Sequence, residues 1–103
     1  MESTYNELKK LKSELSVSYL PDSSLATIFN NYQRIIQFID NKKTISTYGY
    51  KSEISDLSDN LSELQYGKTE KIKREARSTF INNLKSDIEA LVMEIKYRFI
   101  EVN

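Results

Sequence analysis

The chain has 103 residues, with fifteen basic and fifteen acidic side chains, a formal net charge of zero, and neither cysteine nor histidine. A balanced charge provides no overall attraction to nucleic acid, and the missing residue types exclude disulfides, thiolate catalysis and histidine-based catalysis or metal binding. Only two glycines and one proline are present, and so few turn-forming residues favour a small number of long helices over a sheet.

The first helix is predicted over about residues 4–18. Thr4 and Glu7 have the spacing of a capping box, in which each side chain accepts a hydrogen bond from the other residue's backbone N–H. Pro21 disfavours helical geometry in the residue before it, so it separates this helix from the next. The apolar stripe of the first helix consists of Leu8, Leu11 and Leu15.

The second helix is predicted over about residues 23–42, with Asp22, Ser23 or Ser24 as its N-cap. It carries the most regular apolar stripe in the chain, with steps of three and four residues, which indicates a central position in the fold. The stripe consists of Leu25, Ile28, Phe29, Tyr32, Ile35, Ile36 and Ile39.

The third helix is predicted over about residues 51–65, after a loop that contains Gly49. Gly67 is expected to end it in the left-handed conformation, and Thr69 is expected to cap the following helix. So tight a reversal predicts that the third and fourth helices are antiparallel neighbours. The apolar stripe consists of Ile54, Leu57, Leu61 and Leu64.

The fourth helix is predicted over about residues 69–100, because apolar residues keep helical spacing from Ile72 to Phe99 without an intervening glycine or proline. At 1.5 Å per residue it would be roughly 45–50 Å long, against about 20–30 Å for each earlier helix. The sequence therefore predicts an all-α, antiparallel up-down four-helix bundle formed by one domain, residues 1–103, with a long fourth helix and a C-terminal extension.

No candidate catalytic or cofactor site is found. The acidic residues are scattered among lysines on outer helix faces, and two isolated glycines do not form a phosphate-binding loop. No apolar run approaches the 18 or so residues that span a bilayer, and no signal-peptide pattern opens the chain. We therefore expect a cytoplasmic protein that is not an enzyme, takes no cofactor or metal, and binds neither nucleic acid nor a small-molecule substrate.

A basic segment at the start of the fourth helix is the first candidate partner-binding site. It contains Lys68, Lys71, Arg74 and Arg77. Cations at a helix N-terminus oppose the macrodipole and cost a few tenths of a kcal/mol each, so the segment needs a compensating partner. That partner is either the acidic outer face of the third helix or an anionic group outside the protein, such as lipid headgroups or an acidic loop of a membrane protein.

The apolar tail is the second candidate, and it consists of Tyr97, Phe99, Ile100 and Val102 with Arg98 among them. Three shorter helices cannot cover the whole of a much longer fourth helix. The tail therefore either packs back onto the bundle or is presented to a partner, since exposed apolar clusters commonly mark contact sites.

Three segments occur in this order along the predicted helices: SELSVSYLPDSSLATIF, YQRIIQFIDNKK and FINNLKSDIEAL. Their order resembles the enterocin A immunity family, small cytoplasmic proteins that protect producers of pediocin-like (class IIa) bacteriocins from their own toxin. The resemblance covers roughly residues 7–91, and it rests on helix order, loop lengths and matching residues such as the SVS turn and Pro21. It implies an antiparallel four-helix bundle with an extended C-terminal part.

The resemblance also implies a binding role without catalysis. Such proteins are thought to act at the inner face of the cell membrane on the mannose phosphotransferase permease, which is the receptor of the toxin, and to block pore action once the toxin is bound. In the proteins of this family, the C-terminal half determines the specificity for the toxin. In this chain that half contains Tyr97, Arg98, Phe99, Ile100 and Val102.

Two alternatives remain open from the sequence. The segment YRFIE matches the Tyr-x-x-x-Asp/Glu pattern of small helical substrates of type VII secretion, although the Trp-x-Gly turn of those proteins is missing because the chain contains no tryptophan. The other alternative is a helical protein-binding adaptor of another kind.

Overall fold

The computed structural model describes residues 1–100, which form four α-helices and a final π-helical turn. The predicted all-α class and the number of helices are confirmed. The helices are α1 (Glu2–Leu15), α2 (Asp22–Lys42), α3 (Tyr48–Tyr66) and α4 (Glu70–Ile95), and the π-helical turn spans Lys96–Ile100.

The first helix differs from its prediction at both ends. The capping box is wrong, because Thr4 is buried inside α1, on the same face as Leu8, and no side chain caps the helix. Burial of Thr4 extends the apolar face by one turn. α1 stops at Leu15, where the Ser16 hydroxyl donates a hydrogen bond of 3.0 Å to the carbonyl of Lys12.

The start of α2 also lacks the predicted cap. Pro21 precedes the first helical residue, and its carbonyl accepts hydrogen bonds from the N–H groups of Ser24 and Leu25 at 3.0 and 3.2 Å. No side chain of Asp22 or its neighbours caps the helix. Here the fixed φ of Pro21 is sufficient for the helix to begin without a side-chain cap.

The two glycines have other roles than those predicted. Gly49 lies within the first turn of α3 and not in the loop. Gly67 has φ −59° and ψ 153°, which is not left-handed, but a Cβ there would lie 2.6 Å from the carbonyl oxygen of Glu63. Glycine therefore suits position 67 because a Cβ atom has no space there, and not because of its backbone conformation. The predicted cap of α4 is confirmed, since Thr69 accepts a hydrogen bond from the N–H of Ile72.

Polar contacts between helices fix the direction of each one. The hydroxyl of Tyr50, near the start of α3, donates to Glu94 near the end of α4 at 3.0 Å, so these helices are antiparallel. An ion pair of 2.6 Å joins Arg77 near the start of α4 to Asp22 at the start of α2. α2 and α4 therefore begin at the same end of the bundle. The other end contains the C-terminal ends of α2 and α4 and the beginning of α3.

The core lies between the four helices and is dominated by leucine and isoleucine. Tyr32 and Phe80, predicted to be core residues, are completely buried, and the ring of Phe80 packs edge-on against Phe29 with centroids 5.7 Å apart. Each large apolar side chain that is buried contributes about 1.5–3 kcal/mol. The buried stripe of α4 contains Ala76, Phe80, Leu84, Ile88, Leu91, Val92 and Ile95.

α4 contributes to this core as far as Ile95 and no further. None of the residues Lys96–Ile100 is buried. A π-helical turn contains more residues than an α-helical one, so it rotates later side chains away from the α-helical stripe. Phe99, which would follow Ile95 on a continuous α-helix, is consequently 40 % exposed.

We expect Leu57→Ala and Ile35→Ala each to lower the free energy of unfolding by about 2–5 kcal/mol, because both side chains are buried and truncation leaves a cavity. Denaturant unfolding followed by circular dichroism measures the change. Ser58→Ala, at an exposed position beside Leu57, is the control. A loss below about 0.5 kcal/mol for Leu57→Ala would mean that the core assignment is wrong.

Candidate functional site

The predicted partner-binding residues form two groups at opposite ends of the bundle. Lys68, Lys71, Arg74 and Arg77 lie at the end where α4 begins, and the apolar tail lies where it finishes. α4 alone, Glu70–Ile95, separates the groups by roughly 38 Å at 1.5 Å per residue. The structure therefore does not join them in one compact site.

Within the basic group, Arg77 has a structural partner. Its guanidinium group pairs with Asp22 and lies 5.6 Å from the centre of the Tyr19 ring. In the part of the chain that the structure describes, no ion pair connects Lys68, Lys71 or Arg74 to α3. The expected pairing of this segment with the acidic face of α3 is thus not seen among residues 1–100.

The described part of the apolar tail is exposed. Tyr97 is 77 %, Phe99 40 % and Ile100 39 % accessible to solvent. The Nε of Arg98 lies 3.7 Å from a carboxylate oxygen of Glu94 one turn earlier, so that ion pair stays on the surface of the helix. The remaining predicted residue, Val102, lies outside the residues that the structure describes.

The tail is held by the residues just before it. Ile95 is completely buried, and Glu94 accepts the hydrogen bond from Tyr50, which anchors the end of α4 to the start of α3. The π-helical turn also contacts α1. The exposed side chains are therefore presented from an anchored helix end.

Other exposed aromatic and basic residues lie at the same end of the bundle. Phe38, Lys42 and Lys43 come from the end of α2, and Tyr48 opens α3. Asp40 joins the two helices, since it accepts hydrogen bonds from Thr47 at 2.7 Å and Lys51 at 2.8 Å. We call the following residues the tail-end surface: Phe38, Lys42, Lys43, Tyr48, Tyr97, Phe99 and Ile100.

The sequence contained a signal for Phe38. It lies beside the stripe positions Ile35, Ile36 and Ile39, which already fill the buried face of α2. A large apolar residue outside a complete stripe is expected to be exposed. Tyr48, by contrast, had no such signal, because it was predicted to lie in the loop before the third helix, where no apolar stripe separates buried from exposed residues.

A second feature is a carboxyl pair between α3 and α4. Asp87 is half-buried and lines the same depression as Glu53 of α3. Burial, followed by hydrogen bonding with Glu53 and the negative charge of Glu53, raises the pKa of Asp87 to about 7. The fully buried hydroxyl of Tyr32 and one oxygen of Asp87 have no hydrogen-bond partner among residues 1–100.

Neighbouring polar groups complete this cluster. Burial is the main cause that raises the pKa of Tyr32, and the charge of Asp87 adds to it. Burial and the hydrogen bond with Glu94 raise the pKa of Tyr50. No group of three or more acidic residues within residues 1–100 is placed to hold a metal ion. The chemistry that the pair supports is retention of one proton between two helices.

Sequence reasoning missed Asp87, although its spacing contained the signal. It is three residues after Leu84 and four before Leu91, so it shares the buried side of α4. A charged residue at such a position must find a partner or change its protonation state.

Comparison of the chain with protein-family models, with curated proteins and with solved structures found no match. None of the helices within residues 1–100 is long and apolar enough to cross a membrane.

We expect stability to fall as the pH rises from about 4 to about 7. In this range the folded protein keeps a proton at Asp87 that the unfolded chain releases, so raising the pH favours unfolding. Because solvent screens this half-buried pair, we expect a loss of about 1–2 kcal/mol. The carboxyl group of Asp40 affects stability only at pH values below this range, because hydrogen bonds from Lys51 and Thr47 lower its pKa.

Thermal unfolding between pH 4 and pH 8 measures this dependence. Asp87→Asn removes the titrating group and should flatten the curve, whereas Asp59→Asn, at an exposed position on α3, should leave it unchanged. An identical pH dependence in the Asp87→Asn variant and the original protein would show that another group is responsible.

Proposed function

We propose that this chain is a bacteriocin immunity protein that binds the toxin-occupied permease from the cytoplasmic side through its apolar tail. The exposed side chains of Tyr97, Phe99 and Ile100, at the end of an anchored helix, are the observation that carries the proposal. The resemblance in helix order over roughly residues 7–91 supports the same function. The four-helix fold differs from the two-helix hairpin of type VII substrates and gives that alternative no support.

Binding through the described part of the tail is physically reasonable because its large side chains lie outside the buried core. Within residues 1–100 the last completely buried residue is Ile95, so Tyr97, Phe99 and Ile100 are available for contacts. Aromatic side chains that become buried on association often provide a large part of the binding energy. Arg98, on the same turn, adds a cation that remains more than half exposed although it pairs with Glu94.

Protection by such a protein needs selective binding and no chemistry. A protein that binds one state of a receptor more tightly than another shifts the equilibrium toward the bound state by the difference in affinity. We propose that the tail recognises the receptor with toxin bound and holds it in a form that does not conduct. Lys68, Lys71 and Arg74 take part only if the partner extends along the length of the bundle.

The test is expression of the chain in a strain sensitive to pediocin-like bacteriocins, followed by challenge with a panel of these toxins. We expect a higher inhibitory concentration for at least one toxin. The triple variant Tyr97→Ser, Phe99→Ser, Ile100→Ser should lose most of this protection, by about 30-fold if the three residues together contribute about 2 kcal/mol. Circular dichroism of the purified variant should show an unchanged helical signal.

The matched control is the triple variant Val17→Ser, Tyr19→Ser, Tyr66→Ser, which removes exposed apolar side chains from the opposite end of the bundle. It should protect as well as the original chain. Full protection by the tail variant would refute the assigned surface, and failure of the original chain against every toxin would refute the immunity function.

A further inference from the structure

We infer that the tail-end surface docks directly on bilayers that contain anionic lipid. This inference goes beyond the proposed function, because it requires neither the toxin nor the permease. It rests on the composition of the surface, on its two exposed lysines and on the way in which its residues are distributed over three helices.

Exposed large apolar residues are concentrated at the ends of the bundle. Among residues 1–100, most of them lie at the end where α4 finishes, and the others, Val17, Tyr19 and Tyr66, lie at the opposite end. Tyrosine has an apolar ring and a polar hydroxyl, a combination that favours the headgroup region of a bilayer. The exposed large apolar residues at the end where α4 finishes are Phe38, Tyr48, Met93, Tyr97, Phe99 and Ile100.

Two exposed lysines at this end suit an anionic surface. Lys42 and Lys43 are exposed, and the Nζ of Lys42 lies 5.4 Å from the centre of the Phe38 ring. The carboxylate nearest to them in the chain, that of Asp40, is occupied by Lys51 and Thr47. Glu94 is likewise occupied, by Tyr50 and Arg98.

At the opposite end, acidic groups accompany several of the basic residues. Arg77 is paired with Asp22, and Lys73 lies 3.9 Å from Glu70. Lys68 lines the same depression as two acidic residues of α3, Asp59 and Glu63. Acidic groups therefore accompany Lys68, Lys73 and Arg77 at this end.

The distribution of the tail-end surface favours a flat partner. Phe38 lines a groove between α1 and α2, whereas Lys43 and Tyr48 line a separate depression between α2 and α3. The tail side chains project from α4. Residues that share an end but no single cavity suit a plane of headgroups better than a peptide, which would need one continuous groove.

A tryptophan placed at each end provides the test, because the chain contains none of its own. Tyr48→Trp labels the tail-end surface, and Tyr66→Trp labels the opposite end at an almost equal exposure, 82 % against 79 %. Each variant of the full chain is mixed with phosphatidylcholine vesicles, with and without phosphatidylglycerol. We expect the Tyr48→Trp emission to shift to the blue and to be quenched by brominated lipid when phosphatidylglycerol is present, and the Tyr66→Trp emission to stay unchanged.

Paired charge variants test the electrostatic part, each made in the Tyr48→Trp background. Lys42→Gln with Lys43→Gln should weaken vesicle binding about 30-fold at low salt, since each lysine near an anionic surface contributes about 1 kcal/mol. Lys68→Gln with Lys71→Gln removes the same charge from the opposite end and should leave binding unchanged. Thermal unfolding of all variants verifies that they are folded.

Absence of binding to protein-free anionic vesicles would overturn the inference, including the case in which the chain binds only an acidic protein partner. A response of Tyr66→Trp in place of Tyr48→Trp would overturn it as well. Vesicle binding without protection in cells would leave this inference standing and refute the immunity function, so the two failures are distinguishable.

Discussion

The structure depends on the point along α4 at which apolar side chains are no longer buried by the other helices. The three other helices cover its apolar stripe as far as Ile95, and the following π-helical turn, Lys96–Ile100, contributes no buried residue. Burial of the stripe supplies free energy that holds the bundle together, whereas Tyr97, Phe99 and Ile100 remain 77 %, 40 % and 39 % exposed. Helical geometry nevertheless continues to Ile100. The result is an apolar surface that is presented in an ordered form without being part of the core.

Polar contacts determine how that surface is oriented. The hydroxyl of Tyr50 donates a hydrogen bond to Glu94. Asp40 accepts hydrogen bonds from Thr47 and Lys51, which join the end of α2 to the start of α3. These bonds lie at the end of the bundle where the tail emerges. The bonds from Tyr50 and Thr47 are partly buried and the one from Lys51 is exposed, and we interpret their role as positioning. Together they bring side chains from α2, α3 and α4 to a single end of the molecule.

Much of the fold was predictable from the spacing of apolar residues. The apolar stripes of α2 and α4 are long and regular, so they show which face of each helix is buried. Helix ends were predicted less well. Thr4 matched a capping pattern but is buried inside α1, and Gly67 is required by close approach to Glu63 and not by a left-handed turn. Such details depend on tertiary contacts that local patterns do not contain. Helix lengths drew attention to the tail but left open whether it packs onto the bundle or is exposed, and the contribution of Tyr48 required knowledge of how α3 meets the other helices.

The most direct test of this account is the stability of two shortened chains, one ending at Lys96 and one at Val92, measured by denaturant unfolding. The chain ending at Lys96 keeps Ile95 and the contact of Glu94 with Tyr50, so its free energy of unfolding should stay within about 1 kcal/mol of the full chain. The chain ending at Val92 loses both and should be less stable by at least about 2 kcal/mol. An equally large loss on ending at Lys96 would contradict the account, because it would show that the tail is part of the core.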